Sequence, residues 1–202
     1  MALEDPTLNA LYTYTKVLSV ALGYRDLLTQ RHSERVESLS GDIGIRCGLS
    51  GNEIIVLKIA ASFHDIGKIG IPYHILLKPA QFDEAEWREI KQHSEIGERI
   101  LASTELEGSQ QAARVIRHHH EHYNGSGYPD GLSGEKIPIC ARIISIADSY
   151  DAMAVSRPYH RAKKHSEVMD ILREETGDKH DPQLMQVFCE IIERSDFRAA
   201  DS

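Results

Sequence analysis

His64 and Asp65 stand side by side at the end of a rich apolar segment, Ile54 to Phe63, and are followed by Gly67, Lys68 and Gly70 before Pro72 breaks the chain. Imidazole nitrogen and carboxylate oxygen are the ligand types of a first-row divalent metal. The neighbouring Lys68 carries the charge to hold an anionic substrate at such a metal. The same pair also suits a plain helix C-terminus, where His favours the dipole and Asp opens a turn. Residues elsewhere in the chain must decide between the two.

Five further positions bear on it. His32 lies close to the apolar face of its helix, and His93 sits on the inward stripe between Ile90 and Ile96. His118-His119-His120-Glu121-His122 is too dense a run to be dipole compensation alone. Successive helical residues diverge by about 100°, so His118 shares a face with His122, and His119 converges with His120 only where the helix ends or distorts. Asp148 and Asp151 lie inside the apolar stretch Ala141 to Ala152, where a carboxylate is costly unless paired or metal-bound. His32, His64, Asp65, His93, His119, His120 and Asp148 form a candidate set drawn from five helices, the way a metal site is built in a bundle core. The set exceeds one ion's needs and suits two, with Asp65 between them. Paired ions about 3.5–4 Å apart can activate a water and steady the oxygens of an in-line phosphoryl displacement.

Helical periodicity accounts for the elements that carry these residues. Leu8–Leu22 and Thr29–Cys47 read as the first two helices, and Ser50 with Glu53 forms a capping box before the helix ending at His64-Asp65. Asp83 with Glu86 opens another, running through Trp87, Ile90 and His93 to Leu101. Ser109 to about His122 is the next, followed by a Gly- and Pro-rich loop from Tyr123 to Pro138, of a length that in a helical domain is usually functional. Its glycine spacing is no dinucleotide fingerprint, because no strand precedes it. Pro138 suits the first position of an apolar helix. Ser166 caps the next helix, Asp181-Pro182 starts the last, and a polar, frayed tail follows. No alternating strand pattern occurs, so the fold class is all-α.

The chain of 202 residues is long enough for a real core, and 41% hydrophobic with 27% charged residues is ordinary for a soluble globular protein. A net charge of −8 argues against binding a nucleic-acid polymer, which relies on many Lys and Arg contacts to phosphate. Arg157 to Lys164 is the single basic run, readable as a solvated turn or as a phosphate contact. Three scattered cysteines without a CxxC fit a reducing, cytoplasmic setting. No leader pattern or apolar run of about 18 residues is present, so no membrane insertion is expected.

His64-Asp65-Ile66-Gly67-Lys68, with His32 and Asp148, resembles the HD superfamily of metal-dependent phosphohydrolases. His119-His120-Glu121, Asn124-Gly125-Ser126-Gly127-Tyr128-Pro129-Asp130-Gly131, Ile146-Ala147-Asp148 and Arg157-Pro158-Tyr159 resemble its HD-GYP subgroup. The resemblance implies an HD-domain helical bundle with additional C-terminal helices at 26–195, and a helix or linker at 1–25 that can belong to an upstream regulatory segment. It implies a bacterial signalling enzyme that hydrolyses cyclic di-GMP to pGpG or GMP. His32, His64, Asp65 and Asp148 would hold one ion, and Asp65 would bridge to a second held by His93, His119 and His120. The ions would be iron, manganese, nickel or zinc. Lys68 would contact the scissile phosphate, Arg157 and His160 would lie at phosphate positions, and Tyr128 would shape the pocket. The likeness selects His119/His120 over the His118/His122 face.

Some positions depart from the family's pattern. Leu28 stands where three-metal members carry a Glu, which implies two ions; two-metal members tend to be weaker on the cyclic substrate and either prefer pGpG or stop there, which leaves the preferred substrate open. His160 replaces a usual Lys or Arg, and Asn124 a usual Asp. No sensory domain lies within these residues, so the sequence is a fragment or takes its control from a partner; a signalling protein at the Gly125–Gly131 loop and a homodimer are the partner contacts expected. The alternative to an enzyme is a weakly active or inactive module acting as nucleotide receptor or adaptor.

Overall fold

The computed structural model describes residues 6–23, 27–156 and 161–201. Arg157 and His160 lie outside them, as does the side chain of Leu28. Among the described residues the fold is all-α, with ten α-helices, two short 3-10 turns and a lone bridge between Thr176 and His180.

The helix α3 (Gly51–Phe63) is the axis of the fold, because its run Ile54 to Phe63 is apolar nearly all round and only Lys58 in it is less than buried. Helices α1 (Pro6–Gly23) and α2 (Leu27–Arg46) pack on it, and so do α7 (Ser109–His118) and α8 (Ile139–Ala154). Helix α1 contributes Leu8 and Leu11 to the core, and Tyr12 donates a hydrogen bond to the buried Glu37 of α2. Glu37 also accepts from Ser62 of α3 at 2.5 Å, two residues before His64.

The start of α3 is fixed as its sequence predicts. The Ser50 side chain accepts from Glu53 N, and the Glu53 carboxylate accepts from Ser50 N at 2.8 Å. Ser50→Ala should therefore lower stability by about 1 kcal/mol, readable in the urea midpoint.

Beyond α3 a 3-10 turn spans Ile66–Gly70, followed by the short α4 (Tyr73–Leu76). The next stretch departs from the single helix read in the sequence. It forms α5 (Glu84–Lys91) and α6 (His93–Ala102), with a tight turn at Gln92. The Ile90 carbonyl there accepts from the His93 imidazole, at 2.7 Å, instead of serving the helix ladder alone.

Helix α7 also stops four residues short of the expected His122. The loop takes over its end: Tyr128 N donates to His120 O at 3.2 Å, and a Cβ on Gly127 would lie 2.2 Å from His122 N. Pro138 is the N-cap of α8, one position earlier than expected. Helix α9 (His165–Glu174) starts before Ser166, and its first turn is closed by Glu167 accepting from Lys164 N. Asp181 caps α10 (Pro182–Ile192) as read from the sequence. The C-terminal tail is not a frayed end. Ala199 N donates to Tyr150 OH at 2.8 Å, and Phe197 packs on the core.

Candidate metal centre

The ends of α3 and α7, the start of α6 and the inner faces of α2 and α8 converge on one point. His32, His64 and Asp148 come together there, and so do His93, His119 and His120; within each trio the donor atoms lie within 4.8 Å of one another. Asp65 stands between the two. Its Oδ2 is 3.6 Å from His64 Nε2, and its Oδ1 is 3.8 Å from His93 Nε2. Within the second trio His93 Nε2 and His119 Nε2 are 3.4 Å apart.

Backbone carbonyls aim most of the rings. His64, His93 and His119 each place Nδ1 against the carbonyl three residues earlier, of Ala61, Ile90 and Ile116, at 2.7, 2.7 and 2.6 Å. A carbonyl only accepts, so Nδ1 carries the proton and Nε2 turns its lone pair inward. His32 is held from a distance instead, with Nδ1 2.6 Å from Asp151 Oδ2 and Nε2 3.0 Å from Asp148 Oδ1. Arg35 Nε donates to the other oxygen of Asp151 at 2.5 Å. Asp151 and Arg35 are missing from the sequence-derived site. The signal for Asp151 was its place three residues after Asp148 in an apolar helix, and Arg35 gave none.

The donor set fits divalent transition ions. His64 Nε2 is fully buried and has no hydrogen-bond partner, an arrangement that is costly unless another ligand completes it. Five imidazoles and two carboxylates are the nitrogen and oxygen donors that such ions take.

The charges are polarised to match. Burial, then the neighbouring His120, His64 and His93, hold His119 well below the usual imidazole range. Burial and then His93 bring His120 down to about 3, and burial lowers His93. For His32 burial also disfavours the charge, yet the hydrogen bonds to Asp148 and Asp151 carry it up to about 9. Burial pushes both carboxyls up, but Lys68 holds Asp65 and His32 holds Asp148 well below the usual range.

A pH dependence follows for the metal-free protein. A raised His32 stabilises the fold fully below about pH 6.5, and that contribution is lost as pH rises through about 9. Lowered His93, His119 and His120 cost stability as pH falls below about 6.5. The lowered carboxyls lose theirs only in stronger acid. The urea midpoint of chelated protein should thus peak near pH 6.5. A midpoint flat from about pH 5 to 9 would contradict this assignment of protons.

Lys68 Nζ donates to Asp65 Oδ2 at 2.6 Å. Both residues line a cleft of about 480 Å³, within the range of small-molecule pockets, whose other walls include Ser62, Ile69, Ile71 and Tyr73. Tyr128 stacks on His120 with ring centroids 4.9 Å apart, covering the second trio.

The rejected His118/His122 face has other work. His118 Nε2 is 2.9 Å from Asp130, which Arg117 also grips through two nitrogens at 2.8 and 2.7 Å. Glu121 accepts from Asp130 N and Leu132 N. His118, Glu121 and Asp130 are close enough to hold an ion, but their donors are already engaged in fastening the loop to α7.

Known proteins share this frame. Residues 16–184 match the HD domain family. A cyclic di-GMP phosphodiesterase of Thermotoga maritima is 40% identical over 181 residues, which cover 90% of this chain and 49% of the relative. The cyclic di-GMP phosphodiesterase response regulator RpfG of Xanthomonas campestris is 40% identical over 168 residues, covering 83% of this chain and 44% of its own length. The chain thus spans about half the length of the curated relatives it matches. The fold is also that of an HDGYP protein from Bdellovibrio bacteriovorus, with a TM-score of 0.66 at 20% identity over 92% of this chain and 62% of that one. With its paired His-Asp residues and its helical core in the expected places, the chain belongs to the HD domain family.

Proposed function

We propose that the chain is a metal-dependent phosphodiesterase of the HD-GYP type that hydrolyses cyclic di-GMP to pGpG and GMP. The observation that carries the reading is the placement of Asp65, with one carboxylate oxygen toward His64 and the other toward His93. His32, His64, Asp148 and Asp65 would hold one divalent ion, and His93, His119, His120 and Asp65 a second. Bound there, iron, manganese, nickel or zinc would supply Lewis-acid stabilisation of phosphoryl oxygens and acidify a water. The activity of the relatives on cyclic di-GMP supports the substrate class.

The chain's own groups do the rest. Lys68 is partly exposed beside Asp65 and is the cation placed to take a phosphate oxygen at the cleft. Asp151 and Arg35 fix the His32 ring, and the carbonyls of Ala61, Ile90 and Ile116 fix three others. Tyr128 lies over His120 and shields that side from water.

The test is product formation from cyclic di-GMP and from pGpG by protein loaded anaerobically with Fe(II) or Mn(II), with bound metal counted. Turnover with about two ions per chain is the expected result. Two bound ions without turnover of either substrate would leave a nucleotide-binding module and overturn the enzyme reading.

A further inference from the structure

A second cavity reaches the centre through His120 and Asp148 and shares no residue with the Lys68 cleft. Its volume, about 230 Å³, is below the ~300–1,000 Å³ of a pocket for a whole drug-sized ligand, so it has room for one end of a dinucleotide. Its far wall carries Glu175 and Lys179, charged groups to which the metal chemistry gives no task.

The turn after α9 presents these two as a fixed pair. Lys179 N and His180 N both donate to the Glu175 carbonyl, at 2.9 and 3.2 Å, and Gly177 N donates to His180 O at 2.8 Å. Glu175 Oε2 lies 3.3 Å from Lys179 Nζ and 3.2 Å from Nε2 of the buried His180. Its Oε1 makes no hydrogen bond or ion pair among the described residues. His180, and then Lys179 against the effect of burial, keep the Glu175 carboxyl down at about 2. At neutral pH it is an acceptor only, beside a donor-only ammonium.

The Watson–Crick edge of guanine offers two adjacent donors, N2–H and N1–H, and then the acceptor O6. A carboxylate followed by an ammonium is the complement of that row. Adenine presents C2–H, the N1 lone pair and the N6 amine, so one donor is missing, a lone pair faces the carboxylate and an amine faces the ammonium. We propose that Glu175 and Lys179 read a guanine of the bound dinucleotide, Glu175 accepting from N1–H and N2–H and Lys179 donating to O6. The assignment rests on the cyclic-dinucleotide reading above and adds the base to it.

Calorimetric titration of the metal-loaded protein with GMP and with AMP separates base recognition from turnover. GMP should bind about tenfold tighter, because a half-buried carboxylate–ammonium pair set to meet donors and then an acceptor loses both hydrogen bonds with adenine. In Glu175→Gln the preference should collapse to within about twofold, and Lys179→Met should reduce it as well. In kinetics, the ratio of kcat/KM for cyclic di-GMP to that for bis(p-nitrophenyl) phosphate, which has no base, should fall about tenfold in Glu175→Gln, mainly through KM. No GMP preference in the parent protein, or a preference and ratio that survive Glu175→Gln, overturns the assignment while leaving the phosphodiesterase intact. A preference lost in Glu175→Gln, in a parent that turns over no cyclic dinucleotide, overturns the enzyme reading and leaves the guanine site standing.

Discussion

Asp65→Ala should abolish measurable turnover of cyclic di-GMP, a fall of roughly 10³ or more, and leave fewer ions bound after dialysis. Several kcal/mol of transition-state stabilisation depend on the ions at such a site, and each 1.36 kcal/mol is about tenfold in rate. Among the described residues Asp65 is the one with an oxygen toward each trio, so its loss weakens both. The fold should survive. Lys68, its ion-pair partner, is partly exposed and can be taken up by water. Metal counts, initial rates and far-UV circular dichroism of the variant beside the parent make the check. A variant that keeps two ions and parental rates would remove Asp65 from the mechanism.

Gly67→Ala should have the second-largest effect, through backbone alone. Gly67 lies in the turn just after Asp65, and a Cβ there would sit 1.8 Å from the His93 carbonyl oxygen and 2.7 Å from Gly97 N. Neither atom is the end of a flexible side chain, so the turn and α6 must separate. That separation carries Asp65 away from His93, now 3.8 Å apart. Misplacement by about 1 Å is enough for a 10²-fold loss of rate, and overpacking of this kind costs about 1–3 kcal/mol of stability. Gly51→Ala, where an added Cβ meets nothing within 4 Å, is the matched control and should keep both activity and stability. Equal rates in Gly67→Ala and Gly51→Ala would mean that the contact yields without moving the site.

The sequence made most of the centre legible because its residues break local rules. Histidines at inward positions and carboxylates in apolar helices are conspicuous against a 3.6-residue period, and all seven candidates do converge. What escaped was set by contacts between distant segments. The early end of α7 comes from Tyr128 and Gly127 folding back on His120, and the break before His93 from an imidazole claiming a carbonyl. Neither contact leaves a mark in periodicity. Arg35 looked like any polar helix residue until Asp151 was placed beside it. The C-terminal tail read as solvent-loving by composition, yet it carries a backbone donor for Tyr150.

Three of the imidazoles are aimed by the ends of α3, α5 and α7, each through the carbonyl three residues back. Their rotamer freedom is therefore surrendered when the chain folds, and little remains to be lost when an ion arrives. Reloading a chelated sample then asks for deprotonated donors and diffusion, with no slow rearrangement. It also frees the surrounding side chains to drift in sequence, because the orientation of these ligands depends on the integrity of three short helix ends more than on the identity of their neighbours.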